Sequence, residues 1–221
     1  MEWFGSKNPQ LHKAGGTLVA TTEKQNVKTM EINQLKDFIK NKSKAISENF
    51  DHISKNGFLQ SISFEIDVNK LDSKYLDKVN ITKDGDFSEY FQKMIEYENF
   101  PAVYFFEIND TVEKEEIVTL IKKVNEEFQL NIPAQNYTLK NQGVLYVGKV
   151  KSCAWGRLIQ HLGYHKNRKS HGLQLDFWAK EIKSELKLKY TVMFFEENIK
   201  EDINILERIL AKQLNPIIGK H

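Results

Sequence analysis

The chain contains a single cysteine, Cys153, and no apolar run long enough to cross a membrane. One cysteine excludes an internal disulfide and a four-cysteine zinc module, so we expect a reducing, cytoplasmic setting. A membrane-spanning helix needs about 20 apolar residues, and residues 1–10 lack the basic start and apolar core of a secretory signal. The sequence therefore predicts neither secretion nor membrane insertion.

Arginine is also scarce in this chain. The three arginines, Arg157, Arg168 and Arg208, stand against 29 lysines. A guanidinium is a planar, permanently charged fork that holds phosphate oxygens better than an ammonium does. Because lysine supplies most of the positive charge, an arginine inside a motif is a candidate phosphate ligand.

The charge is small overall but uneven along the chain. The formal net charge is +2, whereas residues 149–189 contain ten lysines and arginines and three carboxylates, a net charge of +7. A basic segment of this kind suits a surface that binds a polyanion. A solvated lysine-rich face is the alternative, and charge alone favours it.

The N-terminal part of the sequence predicts a long amphipathic helix followed by a half-exposed strand. Over residues 31–54 apolar side chains recur at helical spacing, namely Ile32, Leu35, Ile39, Ile46, Phe50 and Ile53. Asn56-Gly57 ends that pattern, and residues 58–68 alternate apolar and polar side chains as a strand does. A second helix is predicted over residues 88–98.

From residue 99 onward the pattern predicts strands over residues 102–108, 144–148 and 190–195. Asp110 and Glu113 have the spacing of a box that starts a helix ending near Phe128. Further helices are predicted over residues 155–162, between Leu173 and Leu186, and between Asn198 and Asn215. Together these elements predict an α+β fold, a small mixed or antiparallel sheet flanked by helices, with an N-terminal α/β extension.

Several short motifs occur in a recognisable order. Ala102-Val103-Tyr104, Tyr146-Val147-Gly148, Arg157, His161, Glu207 and Asn215-Pro216 together resemble the GIY-YIG nuclease family, over about half of the chain. The resemblance implies an endonuclease in which two tyrosine-bearing strands and two helices surround one divalent metal ion. It also implies an N-terminal extension, residues 1–98, and a catalytic domain, residues 99–221, with a helical insertion at residues 109–143.

The resemblance assigns a role to each candidate residue. Tyr104 and Tyr146 would position or deprotonate the attacking water, and Arg157 would clamp the scissile phosphate. His161 would hydrogen-bond the phosphate or assist proton transfer, and Glu207 would bind Mg²⁺ (or Mn²⁺). Lys149 is the nearby cation that a tyrosine needs to act as a base, because its ordinary pKa is ~10. The expected DNA contacts are Lys151, Lys166, Arg168, Lys169 and Asn215.

The types of residue present support phosphodiester hydrolysis independently of the family resemblance. Hydrolysis of a phosphodiester needs positioned water and groups that stabilise the charge growing on the phosphate and the leaving oxygen. Glu207 falls in the helical stripe of Ile203, Leu210 and Leu214, where a carboxylate has a partner or a function. Metal binding and a buried ion pair are equal alternatives for it on this ground.

Two features depart from the family pattern. Ala102 stands where the family has glycine, and residues 109–143 separate two tyrosine strands that the family joins by a short turn. Tyr97 and Tyr137 are therefore alternatives to Tyr104. A zinc site built from Cys153, His161, His165 and His171 is a further alternative, although their spacing matches no recognised zinc module.

The sequence thus leads to two hypotheses from different classes. The first is a Mg²⁺-dependent DNA endonuclease of restriction type, in which residues 1–98 and 109–143 recognise the target and a homodimer cuts both strands. The second is a nucleic-acid-binding module that keeps the fold without catalysis. A nuclease directed at RNA, or at DNA of a particular structure, would share the active site of the first.

Overall fold

The computed structural model describes residues 31–71, 83–109, 112–134, 143–164, 171–182 and 186–219. Internal contacts divide the chain into two units, residues 1–40 and residues 41–221. Within the described ranges, no helix combines the length and the apolar character that crossing a lipid bilayer requires.

A four-stranded antiparallel sheet organises the second unit. Its strands are β1 (Gln60–Asp67), β2 (Ala102–Ile108), β3 (Val144–Val150) and β4 (Lys187–Phe194), in the spatial order β1-β4-β2-β3. The C-terminal segment adds a parallel bridge between Tyr146 and Ile218 at the outer edge of β3. The predicted α+β class, with an antiparallel sheet flanked by helices, is confirmed.

Five α-helices fall in the described ranges. They are α1 (Ile32–Asn56), α2 (Ser88–Ile95), α3 (Lys114–Phe128), α4 (Ala154–Leu162) and α5 (Ile203–Leu214). α5 begins later than Asn198, because Glu197–Ile199 form a 3₁₀ turn and Asp202 takes the N-cap position. Asp110 lies outside the described residues, and Glu113, the N-cap of α3, makes no capping hydrogen bond through its side chain.

The helix predicted between Leu173 and Leu186 is wrong. Two 3₁₀ turns, Leu175–Phe177 and Ala179–Glu181, occupy this segment. Trp178 has a φ of −139°, outside the helical region, and its indole N–H donates to the carbonyl of Leu173 at 2.7 Å. Because Trp178 is fully buried, its packing outweighs the helical spacing of the neighbouring apolar residues.

The boundary predicted between residues 98 and 99 lies inside the second unit. β1 precedes that boundary in sequence, yet it pairs with β4 from Gln60↔Phe194 to Asp67↔Lys187. Residues 112–134, the described part of the predicted insertion, are likewise packed into this unit, because Ile117, Ile121 and Val124 of α3 belong to its main core. The first unit contributes residues 31–40, which include the first turns of α1, to the described ranges.

Both faces of the sheet carry apolar cores. Tyr104 and Phe106 of β2 pack on one face, with residues of α2, α3 and α4. Val103 of β2 packs on the other face, with residues of α5 and with the C-terminal part of α1. Side chains alternate between the faces of a strand, so α4 and α5 lie on opposite faces near the edge strand β3.

Candidate active site

Tyr104 lies on β2 opposite Gly148 of β3. A Cβ atom at position 148 would be 2.5 Å from the hydroxyl oxygen of Tyr104 and 2.7 Å from Cε1 of Tyr146. Glycine therefore provides the space in which the phenol of Tyr104 lies across the neighbouring strand. This close approach is a physical reason for the Tyr-Val-Gly sequence of β3.

The hydroxyl of Tyr104 is the centre of a hydrogen-bond network. It accepts from Nε of Arg157 at 3.1 Å and lies 2.9 Å from Nε2 of His161. The main-chain N–H of Leu173 donates to Nδ1 of His161 at 3.1 Å. Since Nδ1 accepts, the neutral ring carries its proton on Nε2 and donates it to Tyr104. The oxygen of Tyr104 thus accepts two hydrogen bonds.

Burial determines the protonation states in this network. It raises the pKa of Tyr104 well above its ordinary value, and the smaller opposing effect of Arg157 does not reverse the shift. Burial also lowers the pKa of His161 well below 6.5, and the positive charge of Arg157 lowers it further. Both side chains are therefore uncharged at neutral pH. Tyr104 is 1% exposed and His161 is 0% exposed, so neither is open to solvent.

Arg157 is half-buried on α4, the helix that follows β3. Its Nη1 donates to the side-chain oxygen of Gln160 and to the main-chain carbonyl of His171, in addition to the bond from Nε to Tyr104. In the part of the chain that the structure describes, Arg157 has no carboxylate partner. A fixed guanidinium whose charge is not compensated is well suited to bind a phosphate.

Tyr146 connects this network to a pocket of about 510 Å³. The pocket is lined by Tyr146, Lys149 and Glu207, with Pro133, Asn204, Arg208, Lys212 and Gly219. Burial raises the pKa of Tyr146, the nearby Arg157 lowers it, and the nearby Glu207 raises it. Tyr146 is therefore within electrostatic range of both Arg157 and Glu207. Of the six residues that the sequence predicts as catalytic, Tyr104, Arg157 and His161 form the hydrogen-bond network, and Tyr146, Lys149 and Glu207 line the pocket. Tyr146 interacts with Arg157 of the first group and with Glu207 of the second.

Glu207 forms an ion pair with Lys149. The distance between Lys149 Nζ and Glu207 Oε2 is 3.6 Å, and the two side chains are 33% and 17% exposed. This separation exceeds hydrogen-bond length. The ion pair that the sequence leaves as an alternative for Glu207 is thus present, while the carboxylate still borders the pocket.

The residues of the pocket fit a metal ion that needs only one carboxylate from the protein. The described residues contain no cluster of three or more histidine, cysteine, aspartate or glutamate side chains. A metal ion would therefore have Glu207 as its protein carboxylate, completed by water and phosphate oxygens. Mg²⁺ accepts such a donor set. For the zinc alternative, both ring nitrogens of His161 already have partners, and His165 lies outside the described residues.

The predicted DNA contacts are placed differently from the catalytic residues. Lys151 is exposed and forms an ion pair with Glu201. Asn215 ends α5 with a φ of 50°, and its main-chain N–H donates to the carbonyl of Ala211 at 2.8 Å. Neither residue lines the pocket. Four further candidates lie outside the described residues, namely Lys166, Arg168, Lys169 and the alternative tyrosine Tyr137.

Tyr97 does not belong to the cluster. Its ring stacks on Phe194 with a centroid distance of 4.8 Å, and it does not line the pocket. Tyr104, whose hydroxyl is bonded to Arg157, is therefore the tyrosine that lies with Tyr146.

Three polar side chains of the pocket are missing from the sequence prediction. Asn204, Arg208 and Lys212 recur every four residues along α5 and all line the pocket beside Glu207. Residues at this spacing share one face of a helix. Nothing in the sequence marks these three as pocket residues, although Arg208 directly follows Glu207 and is one of only three arginines.

Comparison of the chain with protein-family models, with curated proteins and with solved structures finds no match. Any inference about the function of this chain therefore depends on its own residues and their geometry.

Proposed function

We propose that this chain is a Mg²⁺-dependent DNA endonuclease with a GIY-YIG-like active site. The observation that carries the proposal is that Tyr146 interacts with both the Arg157 guanidinium and the Glu207 carboxylate and lines the same pocket as Glu207. Hydrolysis of a phosphodiester needs a cation for the phosphate, a carboxylate for the metal and a polar group for the water in one place. Tyr146 and Glu207 border one cavity, and Arg157 interacts with Tyr146 without lining that cavity.

In the proposed mechanism Arg157 binds the scissile phosphate. Tyr104 and His161 are positioning residues, because Tyr104 accepts from the guanidinium, His161 bonds to Tyr104, and both are buried. Tyr146, which lines the pocket, orients the attacking water through its hydroxyl. Lys149 supplies a second positive charge on the Glu207 side of the same cavity.

Glu207 would hold the Mg²⁺ (or Mn²⁺). A bound divalent ion neutralises charge that develops on the phosphate during cleavage. Lys149 already interacts with the same carboxylate at 3.6 Å, so the lysine and the metal ion compete for it. The proposed site is therefore one in which Lys149 must release the carboxylate, at least in part, before the metal binds.

The proposal is tested by cleavage of supercoiled plasmid and of a labelled oligonucleotide in the presence of Mg²⁺. We compare the wild type with Glu207→Gln and with the matched control Glu201→Gln, whose carboxylate is exposed and pairs with Lys151. We expect cleavage by the wild type and by E201Q, and none by a folded E207Q. Intact DNA with the wild type, or equal cleavage by E207Q, contradicts the proposal.

The ion pair between Lys149 and Glu207 favours a second candidate, a nucleic-acid-binding module without hydrolytic activity. A carboxylate that is paired with lysine has a structural role without any metal. The raised pKa values of Tyr104 and Tyr146, caused mainly by burial, also disfavour their deprotonation. This candidate predicts salt-sensitive retention of DNA that E207Q does not change, and no cleavage product.

The setting of the enzyme is also proposed. One active site cuts one strand, so cleavage of both strands would require a homodimer, which sedimentation analysis in the presence of DNA detects.

We place the activity in the cytoplasm, and we assign target recognition to residues 1–98 and to the insertion at residues 109–143. A panel of duplex, nicked, branched and RNA substrates distinguishes a site-specific enzyme from one directed at RNA or at DNA structure.

A further inference from the structure

The pocket carries more positive charge than the proposed chemistry uses. Its lining includes Lys149, Arg208 and Lys212 but only one carboxylate, Glu207. Lys149 is paired with that carboxylate at 3.6 Å. Arg208 and Lys212 are exposed, and neither forms an ion pair with any residue in the described ranges.

The two cations of α5 that line the pocket have no carboxylate at helical spacing. Some exposed lysines of α1 and α2 do pair with carboxylates four residues away, as in Lys44–Glu48, Lys55–Asp51 and Lys93–Glu89. On α5 no carboxylate stands three or four residues from Arg208 or Lys212. The two cations instead stand four residues from each other, a like-charge spacing that destabilises a helix. An anion bound between them would relieve this repulsion.

We propose that Arg208 and Lys212 bind a phosphate of the DNA strand adjacent to the phosphate that Arg157 holds. The inference rests on the proposed function and identifies the substrate as a polynucleotide strand that follows α5, rather than an isolated phosphodiester. The two side chains line the same cavity as Tyr146 and Glu207, and the proposed function puts the attacking water and the metal ion at that cavity. Phosphate contacts of this kind fix the register of a strand without reading its sequence.

The test uses the double variant Arg208→Gln, Lys212→Gln. Its matched control is Lys70→Gln, Lys83→Gln, which removes the same amount of positive charge. Lys70 and Lys83 are exposed, have no ion pair in the described part of the chain, and do not line the pocket. Thermal unfolding of the free proteins should show no loss of stability in R208Q/K212Q, because the substitutions remove a repulsion.

Affinity for a labelled single-stranded oligonucleotide is measured over a range of salt concentrations without metal ions. Each phosphate contact contributes about 0.7 to the slope of log K against log[salt] for a single strand. We expect the slope of R208Q/K212Q to be smaller than that of the wild type by about 0.7, for the one phosphate that the two side chains bind. The slope of K70Q/K83Q should equal that of the wild type. Equal slopes for all three proteins would overturn the inference.

Cleavage assays separate this inference from the proposed function. With Mg²⁺, the double variant should lose less activity on bis(p-nitrophenyl) phosphate, which has no neighbouring phosphate, than on the oligonucleotide. Its KM for the oligonucleotide should rise on the order of tenfold. Equal loss on both substrates would overturn the second phosphate site. A reduced salt slope, together with a wild type that cleaves nothing, would support the site and overturn the proposed hydrolysis.

Discussion

The Nε2–H of His161 donates to the hydroxyl oxygen of Tyr104 at 2.9 Å, and the same oxygen accepts from Nε of Arg157 at 3.1 Å. A neutral histidine and a neutral tyrosine therefore orient a charged guanidinium. In this arrangement His161 acts through Tyr104. Our proposal accordingly gives His161 a positioning role, in place of the phosphate contact or proton transfer that the family resemblance implies.

The first prediction concerns the hydroxyl of Tyr104. Tyr104→Phe leaves Nε of Arg157 and Nε2 of His161 without their acceptor in a buried environment. The loss should lower the free energy of unfolding by about 1–3 kcal/mol. Tyr190 provides the matched control, because its buried hydroxyl has no hydrogen-bond partner among the described residues. We expect Tyr190→Phe to leave the free energy of unfolding unchanged or to raise it. Urea denaturation of both variants measures the difference.

Cleavage rates give a second readout for the same pair of variants. Y104F should also reduce DNA cleavage, because Arg157 loses one of its fixed partners, whereas Y190F should retain it. If the two variants lose equal stability and equal activity, the network around Tyr104 does not orient Arg157.

The second prediction concerns pH and stability. Burial lowers the pKa of folded His161 well below 6.5, whereas in the unfolded chain it returns to about 6.5. Below pH 6.5 the unfolded state therefore binds a proton that the folded state does not. The contribution of neutral His161 to the free energy of unfolding is complete above pH 6.5. As the pH falls below 6.5, this free energy decreases by up to about 1.4 kcal/mol per pH unit.

His161→Gln removes this titration. We expect the variant to be less stable than the wild type at pH 7.5, since the contacts to Tyr104 and Leu173 are altered. The difference in unfolding free energy should narrow between pH 6.5 and pH 4.5, measured by denaturation at each pH. A difference that stays constant over this range would mean that folded His161 titrates normally.

Local patterns predicted much of the fold. β2 has the predicted bounds, because Ala102–Ile108 is an apolar run that directly follows Pro101. α4 ends before Gly163, which has a φ of 93°, as its sequence indicates. The pairing of β1 with β4 was not predictable, because it joins residues more than a hundred positions apart. The helix prediction around Trp178 was wrong for the same reason, because the packing of this side chain depends on residues that are distant in the sequence.

The candidate site was predictable to a similar extent. The ordered residues of the motif indicated which side chains to compare. Tyr104 is bonded to Arg157, Tyr146 lines a pocket with Glu207, and Tyr146 interacts with Arg157. Arg208 and Lys212 were missed, because in the sequence they resemble any exposed cation on a helix. Their distinction appears only when the cavity and the lack of ion pairs in the described residues are known.

The third prediction concerns the competition for Glu207. Lys149→Met removes the positive charge that lies 3.6 Å from the carboxylate. The pair is partly exposed, so its interaction is worth about 1 kcal/mol, and the affinity for Mn²⁺ should rise about fivefold. Electron paramagnetic resonance of free Mn²⁺ measures this affinity without any cleavage assay. Glu207→Gln should abolish the binding, and Lys151→Met, which removes the partner of Glu201, should not change it.

Unchanged Mn²⁺ affinity in E207Q would show that the ion binds elsewhere on the protein. Weaker binding in K149M would show that Lys149 supports the metal ion through the carboxylate rather than competing with it.

The fourth prediction concerns Gly148. In Gly148→Ala the added methyl would lie 2.5 Å from the hydroxyl oxygen of Tyr104, whose ring is buried and cannot move without loss of its hydrogen bonds. Overpacking of this kind costs about 1–3 kcal/mol. Because the displaced group is the one that holds Arg157, cleavage should fall more than stability does. Denaturation and cleavage assays on the same preparation measure both effects.

A double-mutant cycle identifies the cause of that loss. Tyr104→Ala removes the phenol that the methyl would contact, so G148A should cost less stability in the Y104A background than in the wild type. The difference between the two costs measures the steric coupling between the two strands. If G148A costs the same in both backgrounds, the methyl does not meet the phenol, and the loss comes from the conformation of β3 itself.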